Sequence, residues 1–74
     1  MTKQMQKQLA EDLGLEIDKV TDETRIVEDL GYDSLDTVEM LMNLEEKYNI
    51  AIPDDEAINL KTLGDVAKYL ENVK

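Results

Sequence analysis

DSLDTVEMLMNLEEKY, running from Asp33 to Tyr48, is the stretch whose periodicity decides the fold. Either Asp33 or Ser34 can cap a helix here by accepting a backbone N–H, and Gly31 just before them suits a tight entry. At about 100° per residue, the apolar side chains fall into two groups. Met40, Leu41, Leu44 and Tyr48 gather on one side, Leu35, Val38 and Met42 form a second stripe, and Glu45 lies between them. Asp36, Glu39, Asn43 and Glu46 occupy the far flank of that second stripe. A helix buried on one face needs one stripe only. Two readings follow: a wide core face with Glu45 reaching to water at its edge, or an exposed docking patch within an acidic rim. Met42 suits the second, because its flexible thioether adapts to several partners.

Working outward, Met5, Leu9 and Leu13 stand four residues apart with Ala10 beside them, and Gly14 follows as a left-handed C-terminal residue, which predicts a helix over 3–13. The segment from there to Asp33 carries Leu15, Ile17, Val20, Ile26, Val27 and Leu30, enough apolar residues to pin a long loop to a core. Ile50 and Ile52 are spaced like a strand but too briefly to build a sheet. Pro53 opens a short helix whose first turn holds Asp54, Asp55 and Glu56, where the helix dipole favours negative charge. Thr62 caps a last helix bearing Leu63, Val66, Ala67, Leu70 and Val73 as one stripe. The expected fold is all-α: a small bundle of three longer helices plus one short helix, forming a single domain over residues 1–74.

Composition narrows the function. Eight Lys plus Arg against eighteen Asp plus Glu give a net charge of −10 on 74 residues, which repels nucleic-acid phosphates and anionic membrane surfaces and points to basic protein partners. Ten acids and one base lie between Glu28 and Glu56, so nine of the ten net charges sit in that span and form one acidic face. With no His and no Cys, the chain cannot build a Ser-His-Asp or Cys-His centre and lacks the N and S ligands that zinc prefers. Three Tyr and no Phe or Trp leave no stacking platform for bases. No apolar run of membrane-spanning length and no leader is visible, so a soluble, cytoplasmic monomer is expected, with no membrane and no nucleic acid among its partners. Ser34 is the only Ser. A domain of this size buries roughly 60% of its unfolded surface, so its stability is marginal.

The block Gly31-Tyr32-Asp33-Ser34-Leu35-Asp36-Thr37-Val38-Glu39 resembles the modification motif of acyl carrier proteins, centred on Asp-Ser-Leu. Val27-Glu28-Asp29-Leu30 before it, Leu44-Glu45-Glu46 after it, and Ile50 to Pro53-Asp54 follow the same pattern in register, so the resemblance spans about Leu13 to Leu70. It implies that Ser34, flanked by Asp33 and Leu35, is esterified by 4′-phosphopantetheine taken from coenzyme A by a separate phosphopantetheinyl transferase, the holo-carrier synthase. That arm supplies the thiol which a cysteine-free chain needs in order to hold acyl thioesters. A Ser hydroxyl is a poor nucleophile without a base, and with no His in the chain the base must come from the transferase. The reading without the resemblance is that Ser34 is a plain helix cap.

By the same resemblance the partners are malonyl transferase, ketosynthases and other acyl-processing enzymes, docking through basic patches. Asp33, Asp36, Glu39, Glu45 and Glu46 would make the electrostatic contacts and Leu35, Val38 and Met42 the apolar ones. The acyl chain would fold between helices against Leu44, Ile52, Ala57, Leu60 and Tyr69. Tyr32 stands where the family often has a small residue, Asn49 and Ala51 where acids are frequent, and Ile58 puts an apolar side chain in the usually acidic third helix. A weak divalent site is expected at Glu28, Asp33 and Asp36 if the loop brings them together, without EF-hand spacing. The function so implied is a non-enzymatic carrier of growing acyl chains for fatty acid synthesis. The alternatives are a carrier for a polyketide or other specialised acyl pathway, or an unmodified acidic interaction module.

Overall fold

The computed structural model describes residues 1–73, and among these the order is α1 (Lys3–Leu13), a 3-10 turn (Ile17–Lys19), α2 (Ser34–Tyr48), α3 (Asp54–Ala57) and α4 (Leu63–Asn72). The expected three longer helices and one short helix are therefore present, with no strand beyond a single bridge between Arg25 and Thr62 among the described residues.

Local chemistry sets the helix ends. Met5 N–H donates to Thr2 Oγ1 to open α1, and Gly14 closes it at φ 67°, where a residue with a Cβ is disfavoured. Leu15 N–H then donates to Ala10 O at 2.9 Å and Gly14 N–H to Glu11 O at 3.3 Å, so two carbonyls of the last turn are met. α4 opens with a capping box: Asp65 N–H donates to Thr62 Oγ1 while Thr62 N–H donates to Asp65 Oδ2, each at 3.1 Å. Its apolar stripe is buried through Leu70, but Val73 is the C-terminal cap with ψ 0°, past the last helical turn, and stays exposed.

The long segment between α1 and α2 is packed, as its apolar content predicts. Val20 and Ile26 are fully buried, while Gln6 donates its amide to Ile17 O and Val20 O at 3.0 and 2.8 Å. Ile26 N–H donates to Lys61 O and Leu63 N–H to Thr24 O, at 3.0 and 2.9 Å, which ties this loop to the start of α4. The 3-10 turn within it buries no residue, which is why no apolar period announces it. One core joins the three longer helices and their connections: Met5 and Leu9 from α1, Met40, Leu41 and Leu44 from α2, Ile52 from the α2–α3 connection, and Leu63, Val66 and Leu70 from α4.

Candidate functional site

Of the two residues able to cap α2, Asp33 does so. Its Oδ1 accepts the Asp36 N–H at 2.8 Å, Asp36 Oδ2 accepts the Asp33 N–H at 3.3 Å, and Thr37 Oγ1 donates to Asp33 O at 2.9 Å. Ser34 is thereby released from capping duty. It is the first helical residue, exposed, and among the described residues no hydrogen bond engages its hydroxyl.

Ser34 lines a groove of about 630 Å³ between α2, the loop before it and α3. Ser34, Thr37, Val38 and Leu41 form the α2 wall, at offsets of 3, 4 and 7 that share one helix face. Ile26 and Val27 come from the loop, Ala57 and Ile58 from α3 and its end, and Leu60 from the approach to α4. Arg25, Glu28, Asp54 and Lys61 bring charge to the same lining. Ala57 and Leu60 thus stand where a channel was expected, whereas Leu44, Ile52 and Tyr69 do not line it. Leu44 and Ile52 point into the closed core, and Tyr69 uses its hydroxyl on Ala51 O at 3.2 Å. The groove runs along the flank of α2 beside the core rather than through it. Periodicity puts Val38 and Leu41 in different stripes of α2, and the groove lies at the seam between them.

The second apolar stripe of α2 faces solvent, with Leu35, Val38 and Met42 at 68, 51 and 58% exposure, and Ile58 at 72% and Val27 at 56% extend it across the groove. That separates the two readings of α2 in favour of an exposed patch. Asp33, Asp36, Glu39 and Glu46 are exposed around it, the first two already joined in the capping box. Glu45 is different. It is half-buried, and its Oε2 accepts the Ile52 N–H at 2.7 Å, a role that its position between two stripes hinted at but did not specify. Tyr32 is half-buried and lines a hollow of about 450 Å³ on the opposite flank of α2, with Asp36, Glu39 and Met40.

Among the described residues no three His, Cys, Asp or Glu side chains gather to hold a metal ion. The condition set for a divalent site, that Glu28, Asp33 and Asp36 be brought together, is not met: the carboxylates of Asp33 and Asp36 are turned to each other's backbone N–H groups. Nearby, Arg25 donates to both carboxylate oxygens of Asp29, and that pairing holds Asp29 below the ordinary carboxylate range. On the far side of α2, Asp12, with its side chain 5% exposed, accepts from Lys47 Nζ at 3.2 Å and from the Tyr48 hydroxyl at 2.9 Å. Burial, reinforced by the bond to Asp12, pushes the Tyr48 phenol up to about 12. No helix among the described residues is long and apolar enough to cross a membrane.

The residues fit a covalently tethered arm: an exposed, unengaged hydroxyl at a helix N-terminus, where backbone N–H groups and the dipole favour a phosphate, opening on an apolar groove. Comparison with known proteins agrees. Residues 3–70 match the family described as phosphopantetheine attachment site. The chain is 52% identical over 66 residues to an acyl carrier protein of Wolinella succinogenes, covering 89% of this chain and 87% of that protein. It is 48% identical over 66 residues to an acyl carrier protein of Akkermansia muciniphila, covering 89% of this chain and 82% of that one.

Proposed function

This chain belongs to the acyl carrier protein family, and from that premise we propose that Ser34 is the residue on which it bears 4′-phosphopantetheine. The observation that carries this assignment is the division of labour at the start of α2, where Asp33 caps the helix and leaves the only Ser hydroxyl exposed beside the groove. The protein is a carrier rather than an enzyme, working with acyl chains and the enzymes that process them. When bound, the arm supplies the thiol that holds an acyl group as a thioester.

The chain's own residues do the rest. The N–H groups of the first α2 turn and the positive end of its dipole favour the anionic linkage at Ser34. With no His in the sequence, the proton of the Ser34 hydroxyl leaves to a base on the phosphopantetheinyl transferase. Val38, Leu41, Ile58 and Leu60 give the groove apolar walls that keep water from an acyl chain laid against them.

Leu35, Val38 and Met42, bordered by Asp33, Asp36, Glu39 and Glu46, form the docking face for malonyl transferase, ketosynthases and related enzymes with basic patches. Charge-steered association is fast and leaves affinity modest, which suits a component that must depart from each partner. We place the chain in fatty acid synthesis in the cytoplasm, supported by the acidic Leu35-Asp36-Thr37-Val38-Glu39 segment beside Ser34.

Incubation with coenzyme A, magnesium and a broad-specificity phosphopantetheinyl transferase, read by mass spectrometry, tests the attachment. The wild type gains the mass of one arm and Ser34→Ala gains none. No gain in the wild type, or a gain in the variant, refutes the assignment.

A further inference from the structure

α3 walls the groove yet has little of its own to hold it in place. It is four residues long, carries no side-chain N-cap, and contains no fully buried residue; a helix of one turn has no independent stability. Its position comes from its two flanks: after it, Leu60 packs on the core and Lys61 O accepts the Ile26 N–H at 3.0 Å, and before it runs the connection of residues 49–53. Besides the Ile50 N–H, which donates to Glu45 O at 3.0 Å where α2 ends, three contacts anchor that connection: Ile52 is buried in the core, the Tyr69 hydroxyl donates to Ala51 O at 3.2 Å, and the Ile52 N–H donates to Glu45 Oε2 at 2.7 Å. The last is the one charge-assisted bond of the three, about twice as strong as a neutral one. Glu45 also stands on the groove wall's own face of α2, seven residues after Val38 and four after Leu41. It therefore links the fixed wall to the moveable one.

We propose that Glu45 is a positioning residue: through the Ile52 N–H its carboxylate fixes α3 against α2 and so sets the width of the groove beside Ser34. Its work is inward, unlike that of Glu39 and Glu46 on the same helix. How tightly an acyl group is then held follows only if the groove is its seat, the reading given above.

Two variants separate reach from charge. Glu45→Gln loses the charge and keeps an acceptor at the same distance; Glu45→Asp keeps the charge and falls one methylene short of the Ile52 N–H. Amide hydrogen exchange on the full chain without the arm is the readout. Glu45→Asp is expected to exchange about 10- to 100-fold faster at Ile52, with Ala57 and Ile58 following, while Glu45→Gln, whose neutral acceptor keeps about half of the bond's strength, speeds exchange by less than about 10-fold. Amides of α1 and α4 keep their rates in both, which excludes global loosening. The reverse pattern overturns the proposal: if Ile52 exchange is unchanged in Glu45→Asp while Glu45→Gln alone weakens binding to a ketosynthase, Glu45 is a docking charge. The exchange readout needs no arm. A wild type that takes no arm at Ser34 refutes the carrier assignment without touching the result at Ile52.

Discussion

Gly64 sits in the first turn of α4 with its backbone pressed on the segment between α1 and α2, and its replacement by Ala measures how rigidly that loop is fixed. A Cβ there would lie 2.5 Å from Asp22 O, 2.8 Å from Asp22 Cα and 3.0 Å from Asp22 C. The oxygen contact falls about 0.9 Å short of the 3.4 Å at which ordinary packing begins, and every atom met is backbone. The loop cannot slide away cheaply, because just beyond the contact Leu63 N–H bonds to Thr24 O and Ile26 N–H to Lys61 O. Overpacking of this kind costs about 1–3 kcal/mol. Contacts this short with backbone alone put the cost in the upper part of that range, about 2–3 kcal/mol, and Ala gains back about 1 kcal/mol over Gly in helix propensity, so the net loss is about 1–2 kcal/mol. For a domain of this size that lowers Tm by roughly 4–16 °C, measured by circular dichroism at 222 nm. Gly14→Ala is the comparison: nothing lies within 4 Å of its Cβ, and the penalty comes from φ +67° alone. A Gly64→Ala chain that melts at or above wild type would show that propensity outweighs the contact and would refute the rigid-loop argument.

Three further outcomes are expected. Tyr48→Phe removes a donor from the nearly buried Asp12 carboxylate and should cost about 1 kcal/mol near neutral pH. Because the folded phenol is raised from 10.0 to about 12, the stability it contributes is complete below pH 10 and is lost as pH rises through 12. The gap between wild type and variant in urea melts must therefore close over that window; a constant gap contradicts the assignment. Reversing Glu39 to Lys should slow association with a ketosynthase at low salt, with the difference fading above about 0.5 M as screening shortens, while Tm stays within a few degrees; an unchanged on-rate removes Glu39 from the docking face. Crowding of ten acids between Glu28 and Glu56 should make Tm climb with added sodium chloride or magnesium through screening, and a melting temperature flat in both would show that the repulsion is already relieved within the fold.

Much of this structure was legible in advance because helix signals are local. Gly14, Asp33, Pro53 and Thr62 each mark a helix end through their own backbone or side-chain chemistry, and the observed ends fall at those residues. The two stripes of α2 were equally plain. What periodicity could not say was whether the Leu35, Val38 and Met42 stripe joins the core or stays exposed, because that depends on where α4 and α1 pack. The groove was misplaced for the same reason: it is assembled from Val27, Val38, Ile58 and Leu60, whose proximity no local pattern encodes. Glu45 is the sharpest instance. Its charge and neighbourhood suggested an outward contact, but its partner is the backbone of Ile52, seven residues on, and a backbone donor leaves no trace in a sequence.

The exposed stripe has a colloidal side. Leu35, Val38, Met42, Ile58 and Val27 are surface that water disfavours, and two copies meeting there would cover it. What keeps copies apart is their like charge, concentrated around that same surface. The sequence pI is about 4.2, and as acidification approaches it the repulsion vanishes while the stripe remains. The acids proposed to draw basic enzymes toward Ser34 are thus also expected to keep a concentrated solution of the protein clear at neutral pH.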